Sequence, residues 1–387
     1  MSSQRISYIF FISIITTIFY FAYSHTPLGS VFKIVTEGLI ISLFLFSIFS
    51  KKGAYRCPLL KLWGTVLIIL LLVYLIIPYY AQSYLLSDTL ELFIPFAVTY
   101  SSYKLFKCDD KNLIKGLAII SLVSIFVIPL ILKNTGGFEI MEMYRSDINK
   151  NQTAPFFAQI GLIAIALSLS DKLNLIYKII FIITALLSLA YCSILSARTA
   201  TLAFILIGFF LIWEKYKLKV IVIIPLLMGL LFVFGEDITA FFNTSIIGNR
   251  DITNLDSLTS GRFERAEDSM AFIIANPLFG ALNYYGSVWQ DSYEIPHIYL
   301  LWKILKYGII GALPFCIIYA AIAFKALSML KNWKKYELPL CCLIVAFFTS
   351  FSEYSSPFGP GSSYILCYIL FGHALSIENS SKHEDKS

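Results

Sequence analysis

Long apolar runs separated by short polar turns dominate the chain, and neither a strand period nor a coiled-coil period explains them. Apolar stretches lie near 6–24, 32–50, 60–80, 88–106, 113–132, 153–170, 174–195, 199–213, 219–235, 297–324, 337–351 and 361–378. Each approaches the roughly 20 residues that a helix needs to cross a hydrocarbon layer. The runs are too long for strands and do not alternate. The pattern predicts an all-α polytopic integral membrane protein with about 12 transmembrane helices, a single membrane domain over residues 1–387. Two runs carry the least signal: 88–106 contains Glu91, and 199–213 is short. Arg5 stands ahead of the first run with no small-residue cleavage site behind it, so that run reads as a span and not as a removed signal.

Composition sharpens this. Hydrophobic residues make up 58% of the chain and charged ones 14%, against about 25% charged in soluble domains. Mean hydropathy is +0.76. The net charge of +6 is spread over short loops and orients a membrane protein; it does not read as a nucleic-acid surface. With the N-terminus in the cytoplasm, 20 of the 30 Lys and Arg residues fall on the inner side. The outer side then holds five of the seven arginines: Arg145, Arg198, Arg250, Arg262 and Arg265. Arginine's planar fork of donors suits phosphate, so this face reads as one that meets a phosphate ligand. None of the seven cysteines falls in the longest polar loop and there is no CxxC, so neither a disulfide nor a metal site is expected.

Two outer loops are candidates for function. One, about 236–296, is long; the other, about 133–152, reads KNTGGFEIMEMYRSDINKNQ. Residues 379–387 form a polar tail, expected to be disordered and cytoplasmic. Within the long loop, TSGRFERAEDSMAFIIANPLFG (259–280) has a Thr259 or Ser260 cap and apolar Phe263, Ala266, Met270 and Ile273 at helical spacing. Asn276-Pro277 and Gly280 stop it. This predicts a short amphipathic helix along the membrane surface, with Arg262 in its first turn, where free N–H groups also favour an anion. A surface helix whose arginines pair with Glu264, Glu267 and Asp268 is the plainer reading.

Three further positions carry candidate chemistry. Arg198, in SILSARTATLAFIL, sits between two apolar runs with almost no loop around it. A cation there faces a polar cavity or snorkels to headgroups. His297 follows Pro296 at the edge of an apolar run, which predicts a place in the first turn of a span, where the helix dipole depresses its pKa. A neutral imidazole can act as a general base. His25 lies in a short outer turn with no arginine near it. No Walker, GxSxG or metal-spacing pattern is present.

Taken together, SARTATLAFI (196–205), SGRFERAEDSMAFIIANPLFG (260–280), His297 followed by Gly308 and Gly311, and the looser SDINKNQTA (146–154) resemble the O-antigen ligase and polymerase superfamily of bacterial envelope proteins. The specific part covers roughly 145–315. Two departures stand out: Ile298 follows the histidine where the family has Asn, Ser or Gln, and Ala281 follows the Asn-Pro-Leu-x-Gly turn. The resemblance implies a metal-independent, cofactor-free, inverting glycosyltransferase of the bacterial inner membrane, active on its periplasmic face. The implied donor is a glycan on undecaprenyl pyrophosphate. A ligase passes it to a sugar hydroxyl of lipid A–core, and a polymerase to another lipid-linked repeat. The expected catalytic residues are His297, Arg198 and Arg262, with the pyrophosphate held by Arg198, Arg262, Arg265 and Arg145. A lipid-glycan flippase or transporter has the same hydropathy and stays open. It would place ionisable groups inside spans, and Glu37, Glu91, Lys303 and Lys306 are the candidates.

Overall fold

A computed structural model describes residues 3–24, 26–50, 57–76, 79–134, 150–195, 197–217, 262–283, 296–354, 356–359 and 361–384. The described residues are all-α. The helices are α1 (Ser3–Ala22), α2 (Pro27–Phe49), α3 (Pro58–Ile76), α4 (Tyr79–Leu105), α5 (Asp110–Asn134), α6 (Lys150–Ser168), α7 (Leu175–Ile194), α8 (Arg198–Tyr216), α9 (Arg262–Ala275), α10 (Tyr299–Leu330), α11 (Trp333–Thr349) and α12 (Ile365–Glu384). Eleven of the twelve apolar runs coincide with a helix; the run 219–235 lies outside the described residues. Among the described residues, six helices (α2, α3, α5, α7, α8 and α10) are long and apolar enough to cross a membrane. Shorter apolar stretches occupy Ile6–Ala22 and Gln152–Ser168. α12 continues to Glu384, so 379–384 of the expected tail is helical, with Ser380 Oγ donating back to the Ser376 carbonyl.

Many large apolar side chains point outward. On α7, Leu175, Ile176, Ile179, Ile182, Ile183 and Leu186 are all exposed. On α3 the same holds for Ile68, Leu71, Leu72, Leu75 and Ile76. Such faces fit lipid, since a bilayer solvates apolar side chains while the helix satisfies its own backbone. Inward faces use small residues to bring helices close.

The chain forms two compact units. One comprises Met1–Leu39 with Phe106–Arg250, the other Ile40–Leu105 with Asp251–Ser387. In the first, α6 packs on α7 and α8. Gly161 makes this possible, because a Cβ there would lie 2.4 Å from the Phe204 ring and 2.6 Å from Ser188. Phe157 and Tyr191 meet edge to face at 4.8 Å. Asn174 caps α7, its side chain accepting from the Tyr177 N–H at 3.1 Å.

In the second unit α4 lies along α12, where Ser102 Oγ donates to the Ile369 carbonyl at 2.6 Å. Trp63 of α3 is fully buried between Phe96, Phe358 and Tyr368. The centre of this unit is charged. Lys303 Nζ lies 2.9 Å from both Asp88 Oδ1 and Glu91 Oε2. Lys306 Nζ lies 2.8 Å from Asp88 Oδ2, which also accepts from the Tyr307 hydroxyl at 2.6 Å. Aromatic faces close the cage: Lys303 sits over Tyr299 and Phe315, and Lys306 over Trp302 and Tyr307. Two cations and two anions cancel, which is how ionised groups persist in a membrane interior.

α10 is a broken helix. At Gly308 the backbone takes φ 68°, ψ −177°, a region open essentially to glycine alone. The break frees the N–H groups beyond it. Ile309 donates to the Pro277 carbonyl at 2.8 Å and Ile310 to the Leu278 carbonyl at 3.4 Å. Gly280, at φ 55°, fits against the same point: a Cβ on it would meet Gly308 N and the Leu305 carbonyl oxygen at 2.5 Å. The Asn-Pro-Leu-x-Gly turn and the glycine eleven residues beyond His297 are therefore two halves of one joint.

Candidate functional site

The joint fixes α9 against the first half of α10. Behind it Phe272, Ile273 and Ala281 form a buried cluster with Trp302 and Leu305. The inward face of α9 is thus Ser269, Phe272 and Ile273. This corrects the apolar face expected from spacing. Met270 is exposed, with Ile274, Leu278 and Phe279 beyond it, because docking on α10 turns the helix toward Phe272. The exposed apolar edge is the side a membrane surface would take. Phe263's side chain and the expected caps Thr259 and Ser260 lie outside what is described.

Arg262 opens α9, and Arg265 is one turn on. Each reaches a residue outside its own helix. Arg262 Nη2 pairs with Glu353 Oε1 at 3.3 Å, from the loop between α11 and α12. Glu353 is nearly buried, 9% exposed along its side chain, so this pair is better shielded than a surface bridge. Arg265 Nη1 lies 3.3 Å from His297 Nε2. The backbone at Arg265 is tied down by Ser269 Oγ, which donates to its carbonyl at 2.7 Å.

His297 does not sit in the first turn of a helix. α10 begins at Tyr299 with Ile298 as N-cap, so the histidine stands one residue ahead of the cap. Pro296 lies beside it, buried. The Tyr299 N–H donates to the Ser350 carbonyl at 3.0 Å, joining the start of α10 to the end of α11. Tyr319 OH and Ser350 Oγ, 2.8 Å apart, reinforce this. The arrangement brings Tyr354 over the site, its ring 6.3 Å from His297 and 6.1 Å from Trp302. His297 is held neutral: its pKa falls from 6.5 to about 4, through burial first and then the positive fields of Arg262 and Arg265. The direction matches the sequence expectation; the cause is the arginines and burial, not a helix dipole.

The structure therefore brings together Arg262, Arg265 and His297. Arg198 opens α8, with three residues between it and the end of α7 at Ile194, and belongs to the other compact unit. Arg145 lies outside the described residues, as does His25. Glu353, Tyr354 and Asp88 were not marked by any motif. Glu353 is one of many outer acids in the sequence, and only its distance from Arg262 singles it out.

Among the described residues no three His, Cys, Asp or Glu side chains gather to hold a metal ion. Two guanidiniums and a neutral imidazole can instead receive an anion and take up one proton. None of the curated proteins matches the chain. Residues 183–316, which hold Arg198, Arg262, Arg265, His297, Gly308 and Gly311, match the O-antigen ligase family, and this match supports assigning the chain to the O-antigen ligase and polymerase superfamily.

Proposed function

We propose that the chain is a glycosyltransferase of the bacterial inner membrane, working at the periplasmic face on a glycan carried by undecaprenyl pyrophosphate and ligating it to a sugar hydroxyl of lipid A–core. The observation that carries this reading is the meeting of His297 with Arg265, and Arg262 one turn away, at the mouth of the spanning helix α10. A polyprenyl tail needs a bilayer beside the site, and its pyrophosphate needs cations at the headgroup level.

The chemistry is a single displacement. The acceptor hydroxyl gives its proton to His297 as its oxygen bonds to the anomeric carbon of the donor. The bond from that carbon to the pyrophosphate oxygen breaks, and its electron pair leaves on the lipid pyrophosphate. Attack opposite the leaving group inverts the anomeric centre. Arg262 and Arg265, with Arg198 and Arg145 as further candidates, stabilise the departing charge, the role preorganised cations serve in phosphate chemistry.

Polymerisation of lipid-linked repeats is the second reading. Ile298 favours it: this position caps α10 with no side-chain hydrogen bond, a departure from the Asn, Ser or Gln usual in the family that pulls away from the ligase pattern. A lipopolysaccharide gel from a clean deletion separates the two. Lipid A–core without O-antigen, with polymer left on the lipid carrier, marks a ligase. Core bearing a single repeat and no ladder marks a polymerase. An unchanged ladder removes both and returns another envelope glycan or the transporter. His297→Ala that folds normally and transfers at the full rate would remove His297 as the base.

A further inference from the structure

The contact between Arg265 and His297 has a fixed direction. A guanidinium is always protonated and offers five N–H donors and no acceptor. Across the 3.3 Å from Nη1 to Nε2, Arg265 must donate and the imidazole must accept. Nε2 therefore bears a lone pair, and the ring proton is on Nδ1. Nδ1 is buried with no hydrogen-bond partner among the described residues, so it offers no second route for a substrate proton. The neutral state of the ring at pH 7 agrees with this tautomer. The lone pair that a general base would use is already engaged.

Resting on the reading of this face as a pyrophosphate site, we infer that Arg265 caps the base: it occupies His297 Nε2 until an anionic phosphate group arrives beside α9 and draws the guanidinium away. The exchange is favourable because a phosphate presents full negative charge and paired oxygens to the planar fork. The imidazole presents one neutral lone pair. Arg262 lies closer to balance, held by Glu353 at 3.3 Å, and sits at the helix start where the phosphate would first meet N–H groups. The donor thus arms the base, and the acceptor hydroxyl is deprotonated only when a leaving group is in place. Arg265 acts here through His297, as a positioning residue, before it joins the anion.

The test is the reactivity of His297 toward diethyl pyrocarbonate, which acylates an imidazole nitrogen whose lone pair is available. Full-length protein in detergent is labelled at pH 7, and the rate at the peptide bearing His297 is read by mass spectrometry. Three samples are compared: wild type, wild type with inorganic pyrophosphate, and Arg265→Met, which keeps an apolar stem and removes every donor. The expected result is slow labelling of the wild type and acceleration by pyrophosphate of about tenfold or more, the worth of one hydrogen bond to a charged group. Arg265→Met should label fast from the outset and ignore pyrophosphate. An Arg265→Met rate equal to the wild type's overturns the cap, whatever the function. Pyrophosphate that slows wild-type labelling also overturns it, and leaves the pyrophosphate site standing. A fast variant beside a wild type indifferent to pyrophosphate keeps the cap and removes the pyrophosphate reading. Should Arg265→Met fail to fold, the two wild-type samples decide whether pyrophosphate releases the base: acceleration supports that release and its lack refutes it, and Arg265→Leu takes the variant's place in testing the cap itself.

Discussion

Replacing Gly308 by alanine puts a methyl group where the Leu278 carbonyl oxygen already lies, 2.2 Å from the position a Cβ would take. The local conformation adds to the clash. At φ 68°, ψ −177° a residue with a side chain is strained by about 1–3 kcal/mol. The overlap exceeds an ångström, so the 276–283 turn must back away. That breaks the bonds from Ile309 to Pro277 and from Ile310 to Leu278, and leaves two N–H groups in the helix break without partners. Each unpaired buried group costs about 1–3 kcal/mol. The total, roughly 3–9 kcal/mol, compares with the 5–15 kcal/mol that holds a whole domain together. Detachment of the turn relieves the strain at less expense than unfolding of the helices, so α9 lifts from α10 and its arginines leave His297. Gly308→Ala should thus keep its helical circular dichroism in detergent, lose the lowest-temperature part of its thermal transition, and lose most transfer activity. Gly38→Ala is the control: a Cβ there meets nothing within 4 Å. A Gly308→Ala protein that matches Gly38→Ala in thermal midpoint and in transfer would refute the joint.

Three other outcomes follow from the geometry. Lys303→Met removes the cation shared by Asp88 and Glu91 and should destabilise by about 3–5 kcal/mol, the range for a broken buried pair; adding Glu91→Gln should recover part of the loss of thermal midpoint, and a double variant worse than the single would contradict the pairing. Arg262→Ala and Glu353→Gln should be non-additive in transfer rate, because each variant removes the same 3.3 Å pair; strictly additive losses would show that the pair is incidental. For pH, free His297 titrates at about 4, under the fields of Arg262 and Arg265 from α9, with Glu353 and Tyr354 facing the same site from the α11–α12 loop. Bound pyrophosphate offsets those positive fields and raises the value, so the acid limb of kcat should lie at higher pH than that of kcat/KM, which reports the free enzyme; coincident limbs would argue against an anion beside the imidazole.

The helices were legible because each apolar run is long enough to be a helix on its own account, whatever it packs against. The two glycine motifs and the three residues Arg262, Arg265 and His297 were legible as points along the chain. What they do to one another was not. Gly308 in sequence is an ordinary glycine within an apolar run; its break is defined by carbonyls at Pro277 and Leu278. His297 was placed in a first turn by Pro296, but the Tyr299–Ser350 bond starts the helix later. Lys303, Lys306 and Glu91 look like isolated faults in spans, and Asp88 is only the first residue of an apolar run, until the fold brings the two lysines onto the two acids. The outer acids offered no reason to choose Glu353 over its neighbours. Pairing over long separations leaves no local period to read.

The caged charges also bear on how the protein is made. Lys303 and Glu91 are 212 residues apart in the chain, and Lys306 and Asp88 are 218 apart. At about 5–20 residues per second, synthesis delivers the lysines roughly 10–45 s after the acids. Each ionised residue at the middle of a lone span opposes insertion by about 2.5–3.5 kcal/mol. Inserted as the span its apolar run 88–106 predicts, α4 would spend that interval with two acids and no counterions, protonated or sheltered beside the insertion machinery. α10 in turn gains its full membrane stability only by finding α4. The order in which spans enter the bilayer becomes part of the folding code, and a fragment ending before Lys303 should leave α4 poorly inserted, however apolar its neighbours are.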